Sequence, residues 1–152
     1  MGTPISLAVL VSGSGRTLQN LIEGSAQGKI PARISIVVST DPKAGALDRA
    51  RKAGLPVEVV ARKDYSSTEA FSAALTRILL RHPVDLICMA GFLHLYRFPD
   101  EYRGRVMNIH PALLPDFGGR GMYGHRVHEA VLASGAHESG CTVHFADHHY
   151  DR

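Results

Sequence analysis

Two side chains suited to acyl chemistry lie two positions apart within the stretch from Arg105 to Pro115. Residues i and i+2 of a strand share one face, so we expect Asn108 and His110 to project together. An asparagine amide can donate to an oxyanion, and an imidazole can carry a proton near neutral pH. Because no serine or cysteine stands nearby as a nucleophile, direct transfer is favoured over a covalent intermediate.

This pair lacks a neighbouring carboxylate that would orient the imidazole. Asp151, at the far end of the chain, is the candidate. An ordinary structural role fits the same stretch equally well, with Asn108 as a turn residue and His110 as a hydrogen-bonded histidine at a strand end. The rest of the chain has to decide between these interpretations.

A glycine-rich turn follows the first apolar run, residues 5–11, which predicts a strand buried on both faces. Gly13 and Gly15 separate this strand from a helical pattern of apolar residues. Such an arrangement aims backbone N–H groups and a helix dipole at an anion. Arg16 adds a guanidinium and Thr17 a hydroxyl, and both suit a phosphate monoester.

Other interpretations of this turn stay open. A dinucleotide-binding fingerprint would have a third glycine where this sequence has Leu18. Asp41 could then be its ribose-binding acid, although Pro42 beside it favours a loop residue. A Walker motif would end in Gly-Lys-Ser/Thr, which the sequence lacks. A strand–helix turn without any ligand is the third alternative.

Strand-like and helix-like segments alternate along the chain, which predicts an α/β fold with a doubly wound, mostly parallel sheet and helices on both faces. After the first strand we expect strands at 33–39, 57–60, 84–90, 105–109 and 141–145, and helices at 44–53, after 66–69 and at 125–134. The strand at 84–90 is the most hydrophobic, so we expect it to be central. Residues 115–124 are predicted to form a loop beside the site.

The sequence Ser66-Ser-Thr-Glu69 predicts a capping box that opens the third helix. Apolar residues recur behind it at the spacing of one helix face. These residues are Phe71, Leu75, Ile78 and Leu79.

Composition describes an ordinary globular chain of 152 residues with 45% hydrophobic and 20% charged residues. The net charge of +3 favours an anionic small molecule, and no Lys/Arg run indicates nucleic-acid binding.

Cys88 and Cys141 lie in apolar runs, as small buried hydrophobes of a reducing compartment do. Because the sequence has neither a signal peptide pattern nor an apolar run long enough for a bilayer, we expect a cytoplasmic protein without membrane contact.

The chain ends in a cluster of potential metal ligands: His144, Asp147, His148, His149 and Asp151. Their spacing matches no metal signature, so a loop function is favoured and no metal is expected. No terminal helix follows this loop. We therefore expect one domain over residues 1–152, as a fragment of a longer protein.

Four motifs in order resemble the folate-dependent phosphoribosylglycinamide formyltransferases of purine synthesis. They are Val11-Ser-Gly-Ser-Gly-Arg-Thr-Leu-Gln-Asn20, Met89-Ala-Gly-Phe92, Met107-Asn-Ile-His-Pro-Ala-Leu-Leu-Pro115, and Thr142-Val-His-Phe followed by Tyr150-Asp151. The third motif marks the wider formyltransferase superfamily and the first points to the ribonucleotide enzymes within it. The resemblance covers essentially the whole chain and implies a Rossmann-like formyltransferase fold that normally continues with further sheet and a helix.

Residue roles follow from the resemblance. It implies a catalytic trio of Asn108, His110 and Asp151. It implies a cradle for the 5′-phosphate of phosphoribosylglycinamide made of Gly13, Gly15, Arg16 and Thr17. It implies a folate site for 10-formyltetrahydrofolate made of Met89, Gly91, Phe92, Leu93, His94, Leu95 and Asp147. The implied partners are these small molecules, and a homodimer stands beside a monomer as an open alternative.

Three rival functions remain. A formyltetrahydrofolate deformylase would use the same trio but pass the formyl group to water, without needing a phosphate cradle. A methionyl-tRNA formyltransferase would need a nucleic-acid-binding surface. A non-catalytic phosphate- or nucleotide-binding module could use the glycine turn without any chemistry.

Overall fold

The computed structural model describes residues 4–110 and 142–145, with side chains for residues 4–108. Six strands and three α-helices lie in this part of the chain. They are β1 (Ile5–Val11), α1 (Arg16–Ala26), β2 (Ala32–Ser39), α2 (Gly45–Lys52), β3 (Val57–Val59), α3 (Thr68–Leu79), β4 (Leu86–Met89), β5 (Val106–His110) and β6 (Thr142–Phe145). Short 3-10 helices occupy Arg62–Asp64 and Asp100–Tyr102.

All six strands form one sheet in the order β3-β2-β1-β4-β5-β6. The first five are parallel, and β6 runs antiparallel to β5. The predicted, mostly parallel sheet is therefore confirmed, and β4 is central, as its hydrophobicity indicated. The strand order reverses between β1 and β4, and ligands of doubly wound sheets bind beyond the carboxyl ends of strands at such a point.

The inner strands β1, β2 and β4 are buried on both faces because each supplies apolar side chains to both. On one face, Ala8 and Leu10 of β1 join the core beneath α3, which contributes the fully buried Phe71. On the other, Leu7, Val9 and Val11 pack with the fully buried Leu18 of α1 and with alanines of α2. This two-sided burial explains why β1 reads as a continuous apolar run.

Predicted and observed bounds agree within one or two residues. The first strand matches at both ends. The fourth strand is shorter than predicted and begins at Leu86. Just before it, Asp85 N–H donates to Ser6 O (2.8 Å), but Ser6 N–H donates to the side-chain Oδ2 of Asp85 (2.8 Å) and not to a main-chain oxygen. Gly54 comes directly after Ala53, the C-cap of α2, and has a φ of 73°. This is the conformation expected of a glycine that ends a helix, as predicted.

The capping box predicted at Ser66 is wrong by one residue. Ser67 is the N-cap of α3, and its hydroxyl accepts from Ala70 N–H at 3.0 Å. Glu69 is consequently not at the position of a capping-box partner; it lies near Arg97, with Oε1 3.5 Å from the Arg97 Nε. The predicted inner face is confirmed, since three of its residues are buried and Ile78 packs partly buried against the same core.

The predicted loop at 115–124 and the predicted helix at 125–134 lie outside the described residues. Within the part that is described, no helix is both long and apolar enough to span a membrane.

Candidate functional site

Strand β5 carries both residues of the predicted acyl-transfer pair. Its register places Asn108 between two neighbours, Met89 at the end of β4 and His144 in β6. Asn108 is half-buried, and His110 ends the strand opposite Thr142. The two positions therefore belong to one strand and reach the carboxyl edge of the sheet, and this strand extends one residue beyond the predicted end at position 109. That their side chains project together stays a prediction. The predicted site residues Asp147 and Asp151 lie outside the described residues.

The glycine turn leads into α1 through a backbone conformation that favours glycine. Gly15 is the N-cap of α1 at φ 80° and ψ 28°, and no side chain caps this end. The first intrahelical bond runs from Gln19 N–H to Gly15 O at 2.8 Å, so the preceding amides have no partner within the helix. No acidic residue occupies the first turn, which contains the exposed Arg16 and the half-buried Thr17. This end of α1 suits an anion.

Helix α2 supports the turn from behind. A Cβ at Gly15 would lie 2.6 Å from Ala46 Cβ, so glycine is required here for close packing as well as for its φ. Ala46 N–H donates to Gly13 O at 3.0 Å. The Nε of Arg49 donates to Ser14 O at 2.7 Å. Sequence reasoning missed Arg49, because nothing in the local pattern of α2 indicates that it reaches a turn 35 residues earlier.

The predicted folate-binding segment, residues 89–95, forms the turn after β4. Gly91 has a φ of 68°. Phe92 stacks on the core residue Phe71 with ring centroids 6.3 Å apart, and His94 meets Phe71 edge-on at 5.9 Å. Leu93 is 39% exposed, a large apolar side chain open to solvent. Met89 and Leu95 are half-buried. The segment thus presents an apolar surface on a fixed aromatic base.

A cavity of about 430 Å³ lies where the turns after four parallel strands meet. Its lining residues are Ser12, Thr40, Asp41, Pro42, Arg62, Lys63, Leu93 and His94. The pKa of His94 is lowered from its usual value by burial and, secondarily, by the Arg62 guanidinium. Sequence reasoning missed Thr40, Arg62 and Lys63, since only the sheet order brings them beside the 89–95 segment.

Comparison with known proteins identifies the family. The formyl transferase family model matches residues 5–152. The chain belongs to the formyl transferase family. The resemblance stated from four sequence motifs is therefore confirmed at the level of the family.

Relatives of this formyl transferase include large and small proteins. It is 46% identical over 150 residues to the trifunctional purine biosynthetic protein adenosine-3 of Drosophila melanogaster, covering 95% of this chain and 11% of that protein. It is 38% identical to the chloroplastic phosphoribosylglycinamide formyltransferase of Arabidopsis thaliana, covering 95% and 51%. The chain thus spans about a tenth and about half of the length of these two relatives.

Solved structures share the fold of this formyl transferase. The glycinamide ribonucleotide transformylase 1 of Symbiobacterium toebii superimposes with a TM-score of 0.86 at 39% identity, covering 99% of this chain and 70% of that one. The phosphoribosylglycinamide formyltransferase of Bacillus halodurans gives a TM-score of 0.88 at 28% identity, covering 97% and 74%.

Two further chemistries find no support in the described part of this formyl transferase. No group of three or more His, Cys, Asp or Glu residues there could hold a metal ion. Cys88 is buried, and burial raises the pKa of its thiol to about 11. The thiol therefore stays protonated at neutral pH and is a poor nucleophile.

Proposed function

We propose that this formyl transferase moves the formyl group of 10-formyltetrahydrofolate to the glycyl amine of 5′-phosphoribosylglycinamide, a step of de novo purine biosynthesis. One observation carries the proposal: the glycine turn and Asn108 lie at the same edge of the sheet, after β1 and on β5, with β4 between them. Two strand spacings separate them laterally by about 10 Å. A substrate with a phosphate at one end and an amine at the other fits this arrangement.

The proposed phosphate site is the amino end of α1. Backbone amides from Gly13 to Thr17 would bind the phosphate oxygens, and the helix dipole favours their negative charge. Arg16 would add a charge-assisted hydrogen bond and Thr17 a hydroxyl. The phosphate thereby anchors the substrate, and its glycyl amine extends towards β5.

The proposed folate site is the 89–95 segment together with the terminal loop that contains Asp147. The pterin has a polar edge, but its faces and those of the neighbouring aromatic ring suit apolar contact, and the exposed Leu93 with Phe92 offers a matching surface. Met89 stands next to Asn108 across the β4–β5 pair. A formyl group carried on this ligand would therefore reach the reacting centre from the β4 side.

In the proposed reaction the amine attacks the formyl carbon and gives a tetrahedral intermediate with an oxyanion. The Asn108 amide and a protonated His110 stabilise this oxyanion. A proton passes from the attacking nitrogen to the leaving N10 of the folate, whose bond to the formyl carbon then breaks. Asp151 pairs with the His110 imidazole and favours its charged form. The products are 5′-phosphoribosylglycinamide with the formyl group on its glycyl nitrogen, and tetrahydrofolate.

The register of β6 leaves enough chain for Asp151 to play this part. Thr142 pairs with His110 and Phe145 with Met107, so β6 runs away from the carboxyl edge. Returning over three strand positions requires about 10 Å, and the six residues after Phe145 can extend up to about 20 Å. The length of chain after Phe145 is therefore sufficient for the role that the proposal gives to Asp151.

A product assay tests the proposal and separates it from its closest rival. The full-length protein is incubated with 10-formyltetrahydrofolate, with and without 5′-phosphoribosylglycinamide, and both formylated product and free formate are measured. We expect formylated product only with the amine substrate and little formate without it. Rapid formate release that does not depend on the amine would identify a deformylase instead. Binding of both ligands with neither product would indicate a non-catalytic module.

A further inference from the structure

A single buried residue, Ser12, joins the turn after β1 to the turn after β4. Its backbone N–H donates to Gly91 O at 3.1 Å. Its hydroxyl oxygen accepts from Leu93 N–H at 3.1 Å and shares a second hydrogen bond with Thr40 Oγ1 at 2.6 Å. Ser12 is 8% exposed. The serine thus holds the β4 turn at two points, once through its main chain and once through its side chain.

These two bonds fix the residue that lies between them. Gly91 O and Leu93 N–H flank Phe92, whose ring is stacked on the core residue Phe71. The backbone of Gly91 is left-handed, at φ 68°, so the chain reverses sharply here. Without the side-chain bond to Leu93, one end of this reversal would lose its attachment to the sheet.

The other side of Ser12 is the proposed phosphate site. Gly13 follows directly, and its carbonyl is held by Ala46 N–H at 3.0 Å. One residue therefore lies between a turn anchored on α2 and a turn anchored on the core beneath α3. Any shift at Ser12 changes the distance between the two turns.

We propose that Ser12 is a positioning residue that sets the folate-binding segment relative to the phosphate-binding turn. The proposal rests on the function proposed above, in which the amine is anchored at one turn and the formyl group at the other. Reacting atoms must approach to about 3–3.5 Å, and a displacement of about 1 Å can cost on the order of a hundredfold in rate. The Ser12 hydroxyl supports this alignment although it lies outside the catalytic trio.

Three variants separate positioning from a general contribution to folding. Ser12→Ala removes the acceptor for Leu93 N–H. Ser35→Ala is the matched control, because its hydroxyl also bridges two segments, donating to Leu7 O at 3.1 Å and to Pro83 O at 2.7 Å, but it is not part of the cavity lining. Ser12→Thr retains the hydroxyl and should therefore keep tetrahydrofolate binding and kcat near those of the parent. Unfolding temperatures of all three are measured in parallel.

Binding is measured by calorimetry with tetrahydrofolate and, separately, with ribose 5-phosphate, and kcat is measured for formyl transfer. We expect Ser12→Ala to weaken tetrahydrofolate binding roughly tenfold and to lower kcat, because the partly buried Leu93 N–H loses its partner and the turn after β4 is no longer held at that end. Binding of ribose 5-phosphate should stay within about twofold of the parent. Ser35→Ala should leave tetrahydrofolate binding within about threefold of the parent, and Ser12→Thr should resemble the parent.

Several results would overturn the proposal. They are unchanged tetrahydrofolate binding in Ser12→Ala, an equal loss of both ligands, an equal effect of Ser35→Ala, or a parent that does not bind tetrahydrofolate. If Ser12→Thr disrupts packing, amide hydrogen exchange of Ser12→Ala takes the place of that variant. Exchange of the Leu93 amide must then be faster than in the parent, while exchange of the amides from Gly13 to Thr17 stays unchanged. A parent that binds both ligands but transfers no formyl group would contradict the proposed function, while the binding comparison would still decide the role of Ser12.

Discussion

At the scale of single residues, Asn108 provides the most direct test of the proposed chemistry. Asn108→Ala removes an oxyanion donor, so kcat should fall roughly a hundredfold or more while the KM values change little. Asn20→Ala is the matched control, since Asn20 is exposed on α1 and the change should leave kcat near that of the parent. Steady-state kinetics with both substrates measure the difference. An Asn108→Ala protein with the kcat of the parent would exclude this role.

His94 gives a prediction about pH. Its pKa is lowered from the ordinary value of 6.5, first by burial and then by Arg62. The unfolded chain therefore binds a proton at this position before the folded protein does, and His94 lowers stability as the pH falls below about 6.5. Between about pH 7.5 and 5.5, the unfolding temperature of His94→Gln should decline less than that of the parent. Equal slopes would show that His94 does not titrate in this way.

Arg62→Gln provides the companion measurement. It removes the nearby positive charge but leaves His94 in place, so the pKa of His94 should rise towards its ordinary value. An NMR titration of the imidazole would record this shift. If the pKa of His94 stays the same in Arg62→Gln, burial is the sole cause of its lowered value.

Residue types near the site were predictable from the sequence, whereas several of their neighbours were not. Asn108, His110 and the glycine turn stand out because their chemistry and spacing are local features. Thr40, Arg49, Arg62 and Lys63 have no such local signal. They reach the site from α2 and from the ends of β2 and β3, and only the order of the strands determines which of these ends adjoin the turn after β4.

At the scale of elements, the contact between the glycine turn and α2 should be sensitive to one methyl group. Gly15→Ala places a Cβ 2.6 Å from Ala46 Cβ at a φ of 80°, which combines backbone strain with overlap. We expect a loss of about 2–4 kcal/mol in unfolding free energy and weaker binding of ribose 5-phosphate. Chemical denaturation and calorimetry measure the two effects.

Gly28→Ala is the matched control for this change. Gly28 has a similar φ of 73° but an added Cβ would have nothing within 4 Å. Its substitution should cost only the strain of the left-handed backbone, about 1–2 kcal/mol. If the two variants were equally destabilised, the close packing on α2 would contribute nothing.

Apolar patterns in the sequence predicted where helices and strands lie more accurately than capping residues predicted where helices begin. The run at β1 is bounded by a glycine turn and is buried on both faces, so its limits were clear in the sequence. The start of α3 was less clear, because Ser66, Ser67 and Thr68 are all good capping residues. The extended backbone of Ser67, at φ −143° and ψ 160°, decides between them, and no sequence pattern reports it.

At the scale of the whole molecule, the alternation of strands and helices predicted the parallel sheet but not its order. In the order found for the described residues, β3-β2-β1-β4-β5-β6, α1 and α2 pack on one face of the sheet and α3 on the other. A single domain over residues 1–152, a homodimer and a cytoplasmic location stay predictions. Sedimentation of the purified protein would decide the oligomeric state.

One edge of the sheet formed by the described residues is a short strand, and its sequence bears on the tendency of the protein to aggregate. Strand β3 forms this edge with three residues, and Pro56 stands immediately before it. The middle residue of β3 is the exposed Glu58. A short edge strand with a charge, preceded by a proline that has no N–H to donate, offers a poor template for pairing with another chain. Glu58→Val should therefore promote aggregation at high protein concentration, although the residue lies far from any proposed chemistry.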